Sequence, residues 1–123
     1  MSNQSLGKLG EDLAVKFLQK KGFKIIAQNY RSKRWGELDV VCLDENVLVF
    51  VEVKTRTSYA FGSPADAVTE FKLKKLVRSA QYFKLCHPET PPGMRLDVIG
   101  ILLDDDTNEI LDLQYYKSVY EAS

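Results

Sequence analysis

The hydrophobic positions change period three times along the chain. Between residues 5 and 21, Leu6, Leu9, Leu13, Ala14, Phe17 and Leu18 recur every three or four residues, the stripe of an amphipathic helix. Lys20 and Lys21 suit its C-terminal dipole, and Gly22 suits the residue that follows it. The period then falls to strand spacing. Phe23–Tyr30 reads as a strand with Ile25 and Ala27 on one face and Ile26 on the other. Glu37–Leu43 and Val47–Lys54 read as two more, joined over Asp44, Glu45 and Asn46, a turn short enough for an antiparallel hairpin. Ser63, Pro64 and Asp66 have the order of an N-cap, a first helical proline and a first-turn acid. They predict a helix running to about Leu85, with Leu73, Leu76, Val77, Ala80 and Phe83 as its buried stripe. Cys86–Gly93 holds three prolines and a glycine and reads as a loop. Met94–Leu103 and Glu109–Tyr115 read as strands around the turn Asp104–Asn108, and Tyr116–Ser123 carries no clear pattern.

The central hairpin decides the layering. Near its turn it is apolar on both faces, with Leu38, Val40, Cys42, Val49, Val51 and Val53 expected on one and Val41, Leu43, Leu48 and Phe50 on the other. A strand pair of that composition belongs inside a sheet covered on both sides. The strand 47–54, the helix 64–85 and the strand 94–103 form a β-α-β crossover, so those strands should be parallel and the connection right-handed. The expected architecture is α/β, a mixed central sheet flanked by helices, in a single domain over residues 1–123.

Composition adds little to the fold but narrows the setting. No apolar run reaches the length of a membrane span, and the N-terminus has no hydrophobic leader segment. Two cysteines, one of them inside a strand, suit free thiols in a reducing compartment, so the expectation is a cytoplasmic protein without a membrane partner. Formal net charge is zero, yet residues 1–95 hold 16 Lys/Arg against 10 Asp/Glu, and residues 96–123 hold 1 against 7. A basic body with an acidic end can meet a phosphate backbone on one side only.

The candidate chemistry lies at the far end of the hairpin. With its turn centred between Glu45 and Asn46, Asp39 falls opposite Glu52 and Glu37 opposite Lys54, all on one face. Opposed carboxylates, with Cβ atoms roughly 5 Å apart, repel each other. They need a shared proton, a neighbouring cation or a divalent metal. Lys54 supplies one positive charge, and Mg²⁺ is a hard cation that takes carboxylate oxygens. The plainer alternative is a set of solvated charges at a sheet edge. The Glu-X-Lys pair is weak evidence alone; an Asp at the matching position of the next strand strengthens it.

Other polar residues read as follows. Glu11, at the flank of the first helical stripe, reads as a solvated helix glutamate. In the loop after Tyr30, Arg31, Lys33 and Arg34 can neutralise phosphates, and Trp35 can either stack on a base or cap the core. Lys72 sits at the margin of the second helical stripe, where its stem can cover the core. Asp97 lies in an apolar strand and needs a partner, expected from a helix or loop Lys or Arg. His87 is the only histidine and no Cys or His stands at ligand spacing, so no zinc site is expected. The triple-Asp turn lacks the glycine and distal glutamate of an EF-hand loop.

Taken together, Gly10-Glu11, Gly36-Glu37-Leu38-Asp39, Phe50-Val51-Glu52-Val53-Lys54 and Asp97-Val98-Ile99-Gly100 resemble the small bacterial YraN family, over most of the chain from about Leu6 to Tyr116. That family looks like a member of the PD-(D/E)XK nuclease superfamily, near archaeal Holliday-junction resolvases. The resemblance implies a restriction-endonuclease-like αβββαβ core and Mg²⁺- (or Mn²⁺-) dependent hydrolysis of phosphodiester bonds in DNA, including branched or structured DNA. It also implies roles. Asp39 and Glu52 match the metal-binding acids, with the Val53 carbonyl beside them. Lys54 matches the lysine that positions the attacking water or stabilises charge, and Glu11 the first-helix glutamate that helps hold metal. Arg31, Lys33, Arg34, Trp35, Arg56 and Lys72 become candidates for gripping the nucleic acid. Leu38 stands where many superfamily members have a proline. Resolvase-like nucleases commonly act as dimers, so a homodimer is a further expectation. Two rival readings are a non-catalytic nucleic-acid-binding module on a nuclease fold, and a protein-interaction domain whose charges serve folding and solubility.

Overall fold

Ser5 starts the first element: its Oγ accepts the Lys8 N–H at 3.2 Å, and helix α1 runs over Leu6–Lys20. Gly22, at φ +92°, turns the chain out of it as the sequence predicts. The computed structural model describes residues 5–33, 35–58, 60 and 62–122. Strands β1 (Lys24–Arg31), β2 (Glu37–Asp44) and β3 (Val47–Arg56) follow, then helix α2 (Glu70–Cys86) and strands β4 (Met94–Leu103) and β5 (Ile110–Ala122). The five strands lie in chain order in one sheet, with β3–β4 parallel and the other pairs antiparallel. This is the mixed α/β architecture and the crossover that the pattern predicts. Among the described residues no helix is long and apolar enough to cross a membrane.

Both faces of the sheet are covered. On one, Ala14, Val15 and Leu18 of α1 pack with Val40, Cys42, Val49, Val51, Ile99 and Ile101. On the other, Leu76, Ala80 and Phe83 of α2 pack with Val41, Leu48, Phe50 and Leu96. The β2–β3 hairpin closes on the two-residue loop Glu45–Asn46 and pairs Asp44 with Val47 through Val40 with Val51, the expected register. Cys42 is a buried free thiol whose burial pushes its pKa up to about 12, too high for a reactive thiolate.

Several expectations fail locally. First, the helix predicted from Ser63 is two pieces. Pro64–Ala67 is a 3-10 turn, with Asp66 Oδ2 accepting the Ser63 N–H at 3.0 Å. α2 then restarts at a second cap, where Thr69 Oγ1 accepts the Lys72 N–H at 3.2 Å. The break has a packing cause: Pro64 lies so close over β4 that a Cβ on Gly100 would stand 2.1 Å from its Cγ. Second, β5 continues to Ala122, seven residues past the predicted end at Tyr115. It does so through a bulge opposite Leu96–Val98, with Ser118 at φ +60°, which breaks the alternation in the sequence. Third, Leu38 packs with Val41 and Phe83 on the α2 side, not with Val40 on the α1 side. Fourth, Ile25 and Ala27 do not share a face, because a bulge between them puts Ile25 on the α1 side and Ala27 on the α2 side.

The reversal at Leu38 comes from paired irregularities. Gln28 pairs with Val40 and Tyr30 with Leu38, leaving Asn29 and Asp39 between them, and Asn29 takes φ +52°. Asn tolerates this left-handed conformation better than most residues. Tyr30 turns to the α2 side together with Leu38, and its ring meets Phe83 edge-on at 4.9 Å.

Candidate functional site

The β2–β3 ladder stops at Val40–Val51. In the alternation of an antiparallel pair, the N–H and C=O of Val53 should next face Leu38. Instead Val53 donates its N–H to Asp39 Oδ2 at 2.8 Å. The Asp39 side chain thus stands in for a strand backbone. The Val53 carbonyl, pointing the same way as its N–H, faces the opened gap.

Glu52 enters the gap from β3. Burial, then the hydrogen bond and charge of Asp39, push the Glu52 carboxyl up to about 8, while Lys54 and Lys72 pull it down. The two carboxyls thus favour sharing a proton where they meet, which relieves the like-charge contact. Lys54, half-buried on β3, and Lys72, exposed in the first turn of α2, bring two ammonium groups face to face beside this pair. Their mutual repulsion lowers the Lys72 pKa.

Glu11 comes from α1, and Gly10 lets it approach. A Cβ on Gly10 would stand 1.8 Å from Thr55 Oγ1, so only glycine allows the helix this close to β3. Glu11 is half-buried, and its Oε1 is buried without a hydrogen-bond partner. Burial first, and the Asp39 charge second, raise its pKa; Lys8 and a hydrogen bond with Asn29 oppose this. Asn29 is the residue that sequence reasoning missed. Its only signal was an asparagine inside a strand, a residue type suited to the backbone kink that aims Asp39.

The remaining candidates are spread out. Glu37 does not reach Lys54, because the ladder has already opened; it pairs with Arg31 across β1–β2 at 3.6 Å. Lys33, at φ +44°, is exposed in a tight turn closed by Ser32 N–H and Oγ on the Gly36 carbonyl, at 2.9 and 2.6 Å. Arg34 lies outside the described residues. Trp35 is half-buried against α2: its carbonyl accepts from Ser79 Oγ at 3.0 Å, and the Arg78 guanidinium lies 4.8 Å from its ring centre. Arg56 is exposed on the last residue of β3 and donates to the Thr55 carbonyl at 3.1 Å. The structure thus brings Asp39, Glu52, Val53, Lys54 and Lys72 together, with Glu11 alongside. Arg31, Lys33 and Trp35 lie on the β1–β2 turn.

Asp97 finds its partner in its own strand, not on a helix or loop. Arg95 Nε donates to Asp97 Oδ1 at 3.0 Å, Ser118 N–H donates to the same oxygen at 2.9 Å, and Tyr115 O–H donates to Oδ2 at 2.5 Å. Arg95 also reaches Asp44 at 2.9 Å.

The opened gap offers oxygen donors only: two carboxyls, the Val53 carbonyl and, from α1, the unpartnered Oε1 of Glu11. That set suits a hard divalent cation such as Mg²⁺ or Mn²⁺. The Glu11, Asp39 and Glu52 oxygens do not all come within 4.8 Å of one another. The triple-Asp turn does bring its oxygens that close, but Asp104 Oδ1 is occupied by the N–H groups of Asp106 and Thr107, each at 2.9 Å. It reads as a solvated turn.

Known proteins resemble this chain along most of its length. A protein from Syntrophomonas wolfei is 44% identical over 108 residues, covering 88% of this chain and 93% of its own. One from Caldicellulosiruptor saccharolyticus is 39% identical over 120 residues, covering 98% of this chain and 100% of its own. Both are described as UPF0102 proteins. The crystal structure of a XisH family protein from Nostoc punctiforme aligns with a TM-score of 0.46 and 16% identity, over 89% of this chain and 99% of that one. The model of the uncharacterised protein family UPF0102, the YraN family, matches residues 10–101, from the glycine beside Glu11 to near the end of β4, and the chain belongs to that family.

Proposed function

We propose that the protein is a divalent-metal-dependent nuclease that hydrolyses phosphodiester bonds in DNA. The observation that carries this reading is the meeting of the Asp39 and Glu52 carboxyls where the β2–β3 ladder opens, beside the Lys54 and Lys72 ammonium groups. Two half-buried acids in contact repel each other once both ionise, and a divalent cation between them relieves that repulsion.

On this reading Asp39, Glu52 and the Val53 carbonyl hold Mg²⁺ or Mn²⁺, and Glu11 closes the donor set from α1. When bound, the cation supplies Lewis acidity toward water and the phosphoryl oxygens. Asp39 orients the set because its Oδ2 is already fixed by the Val53 N–H. Glu52 gives up its proton on loading, so occupancy rises with pH. Lys54 sits beside the carboxyls and offers its ammonium to the charge that develops on the phosphate. Lys72 and Arg56 grip flanking phosphates, and Arg31 and Lys33 on the β1–β2 turn extend the contact. Such contacts confer affinity and salt dependence with little base preference.

The test is cleavage of labelled DNA by purified protein, with Mg²⁺, with Mn²⁺ and with chelator. Cleavage should require the metal and vanish in both Asp39→Ala and Glu52→Ala. Product that persists in both variants overturns the assignment. Salt-sensitive DNA binding with no product under any divalent metal would leave a nucleic-acid-binding module on a nuclease fold.

A further inference from the structure

The outer face of α2 carries a feature the hydrolytic site does not use. Phe71, Lys74, Lys75 and Arg78 follow at spacings of three, four and seven residues, so they share one side of the helix. Phe71 is 72% exposed, in a helix whose other side already fills the core. The Lys75 ammonium lies 5.7 Å from the Phe71 ring centre, and Arg78 lies over Trp35 at 4.8 Å. These four residues and Trp35 line one groove of about 310 Å³. Five of the side chains on α2 are cationic (Lys72, Lys74, Lys75, Arg78 and Lys84), against one carboxylate, Glu70.

Rings interleaved with cations fit a ligand that is anionic at regular intervals and presents flat apolar faces between them. Nucleic acid has that chemistry, but a duplex hides its base faces in its own stack. Only an unpaired strand offers both phosphates and free bases. We propose that the Phe71–Trp35 groove of α2 is a track for an unpaired nucleic-acid strand, with Phe71 as the stacking platform and Lys74, Lys75 and Arg78 on the phosphates. From Phe71 to Arg78 the helix rises about 10 Å, room for about three nucleotides at a stacked spacing of about 3.4 Å. Phe71 directly precedes Lys72, whose ammonium faces that of Lys54, so the N-terminal end of the track lies in the same first turn of α2 as a residue of the hydrolytic site. The inference rests on the nuclease reading for its direction. It names the substrate class as a strand with an unpaired segment beside the cleaved bond.

Trp35 is the only tryptophan, so its fluorescence reports on this groove directly. The experiment titrates the full chain, without divalent metal, with a 12-nucleotide oligo(dT), a blunt 12-base-pair duplex and a poly-glutamate of similar length. Oligo(dT) should quench Trp35, and the duplex should not. Phe71→Ala, at an exposed position, should fold as the parent does and bind oligo(dT) at least about fivefold more weakly, with Phe71→Tyr restoring binding. Lys75→Ala should lower the slope of log affinity against log salt by about 0.7. Unchanged oligo(dT) binding in Phe71→Ala, or equal quenching by the duplex, overturns the proposal. Equal quenching by poly-glutamate overturns it in favour of an acidic protein partner. Because no metal is present, the result is independent of whether Asp39 and Glu52 support cleavage.

Discussion

Asp97 and Glu52 are one rung apart on neighbouring parallel strands, since Asp97 pairs with Val51 and Glu52 with Val98. They face opposite sides of the sheet and meet opposite fates. Asp97 is fully buried, and its oxygens take donors from Arg95, Tyr115 and the Ser118 backbone, with the Arg95 charge shared with Asp44. Glu52 is only partly buried, yet it meets another carboxyl, Asp39, whose charge also bears on Glu11. Burial alone does not mark a functional acid. The mark is whether the protein's own donors saturate the oxygens. Where they do, the acid is a strut; where acids are left to satisfy one another, there is space for a ligand.

The largest expected effect separates the two clusters by stability. Asp97→Ala leaves the Arg95 guanidinium, whose side chain is 6% exposed, without its main partner, and strands the Ser118 N–H and Tyr115 O–H. Breaking such a buried pair costs about 3–5 kcal/mol, which lowers Tm by on the order of 10 °C or more in a domain of this size. Glu52→Gln keeps a donor for Asp39 and removes a carboxyl that must ionise at a cost, so it should leave Tm unchanged or raised. Urea and thermal denaturation of both variants check this. A Glu52→Gln protein as unstable as Asp97→Ala would erase the distinction between strut and ligand.

A smaller effect appears on titration. The Glu52 pKa is raised from 4.5 to about 8, so its contribution to stability is complete below the unfolded value and is lost as pH rises through about 8. The Glu11 pKa is raised as well, in the same sense. Metal-free protein should therefore lose Tm between about pH 5 and pH 8.5, and Glu52→Gln should flatten that slope. Mn²⁺ added near pH 8 should restore Tm, because it replaces the proton between the carboxyls. A metal-free Tm that climbs over the same window would mean that Glu52 is held as a carboxylate by a partner.

The sequence carried the layers plainly because each rests on a strong local signal. Two helical stripes and a hairpin apolar on both faces permit few arrangements, and the two-residue turn at Glu45–Asn46 sets the Asp39–Glu52 register by counting. What failed to show is what depends on contacts distant in the chain. Leu38 obeys strict alternation in the sequence, but the kink at Asn29 on the neighbouring strand reverses it. Thr69 is an ordinary threonine until Pro64, pinned against Gly100, forces the helix to start again. Asp97 takes Arg95 of its own strand as partner, and the Ser118 N–H and Tyr115 O–H that complete the set come from β5, whose bulge opposite Leu96–Val98 no local pattern announces. Gly10 stands in the sequence only as the neighbour of Glu11 in a motif, and its contact with Thr55 reveals why it is glycine.

That contact yields the last and smallest effect. The saturated cluster is held by hydrogen bonds, whereas Glu11 reaches the open one only through the close packing of α1 on β3. Gly10→Ala raises intrinsic helix propensity by about 1 kcal/mol, so α1 itself should not weaken. Its new Cβ, however, would stand 1.8 Å from Thr55 Oγ1 and 2.9 Å from Thr55 Cβ, and the helix must lift. Glu11 lifts with it. Mn²⁺ affinity, measured by calorimetry without substrate, should fall by about tenfold, the scale of losing an outer support of a metal site. Removing the Thr55 hydroxyl and methyl relieves most of the clash, so the double variant Gly10→Ala/Thr55→Ala should recover part of that affinity. The Asp97 cluster, held by its own donors, should keep its contribution to stability in both variants. If Gly10→Ala binds Mn²⁺ as the parent does, Glu11 is not part of the donor set, and the open cluster reduces to Asp39, Glu52 and the Val53 carbonyl.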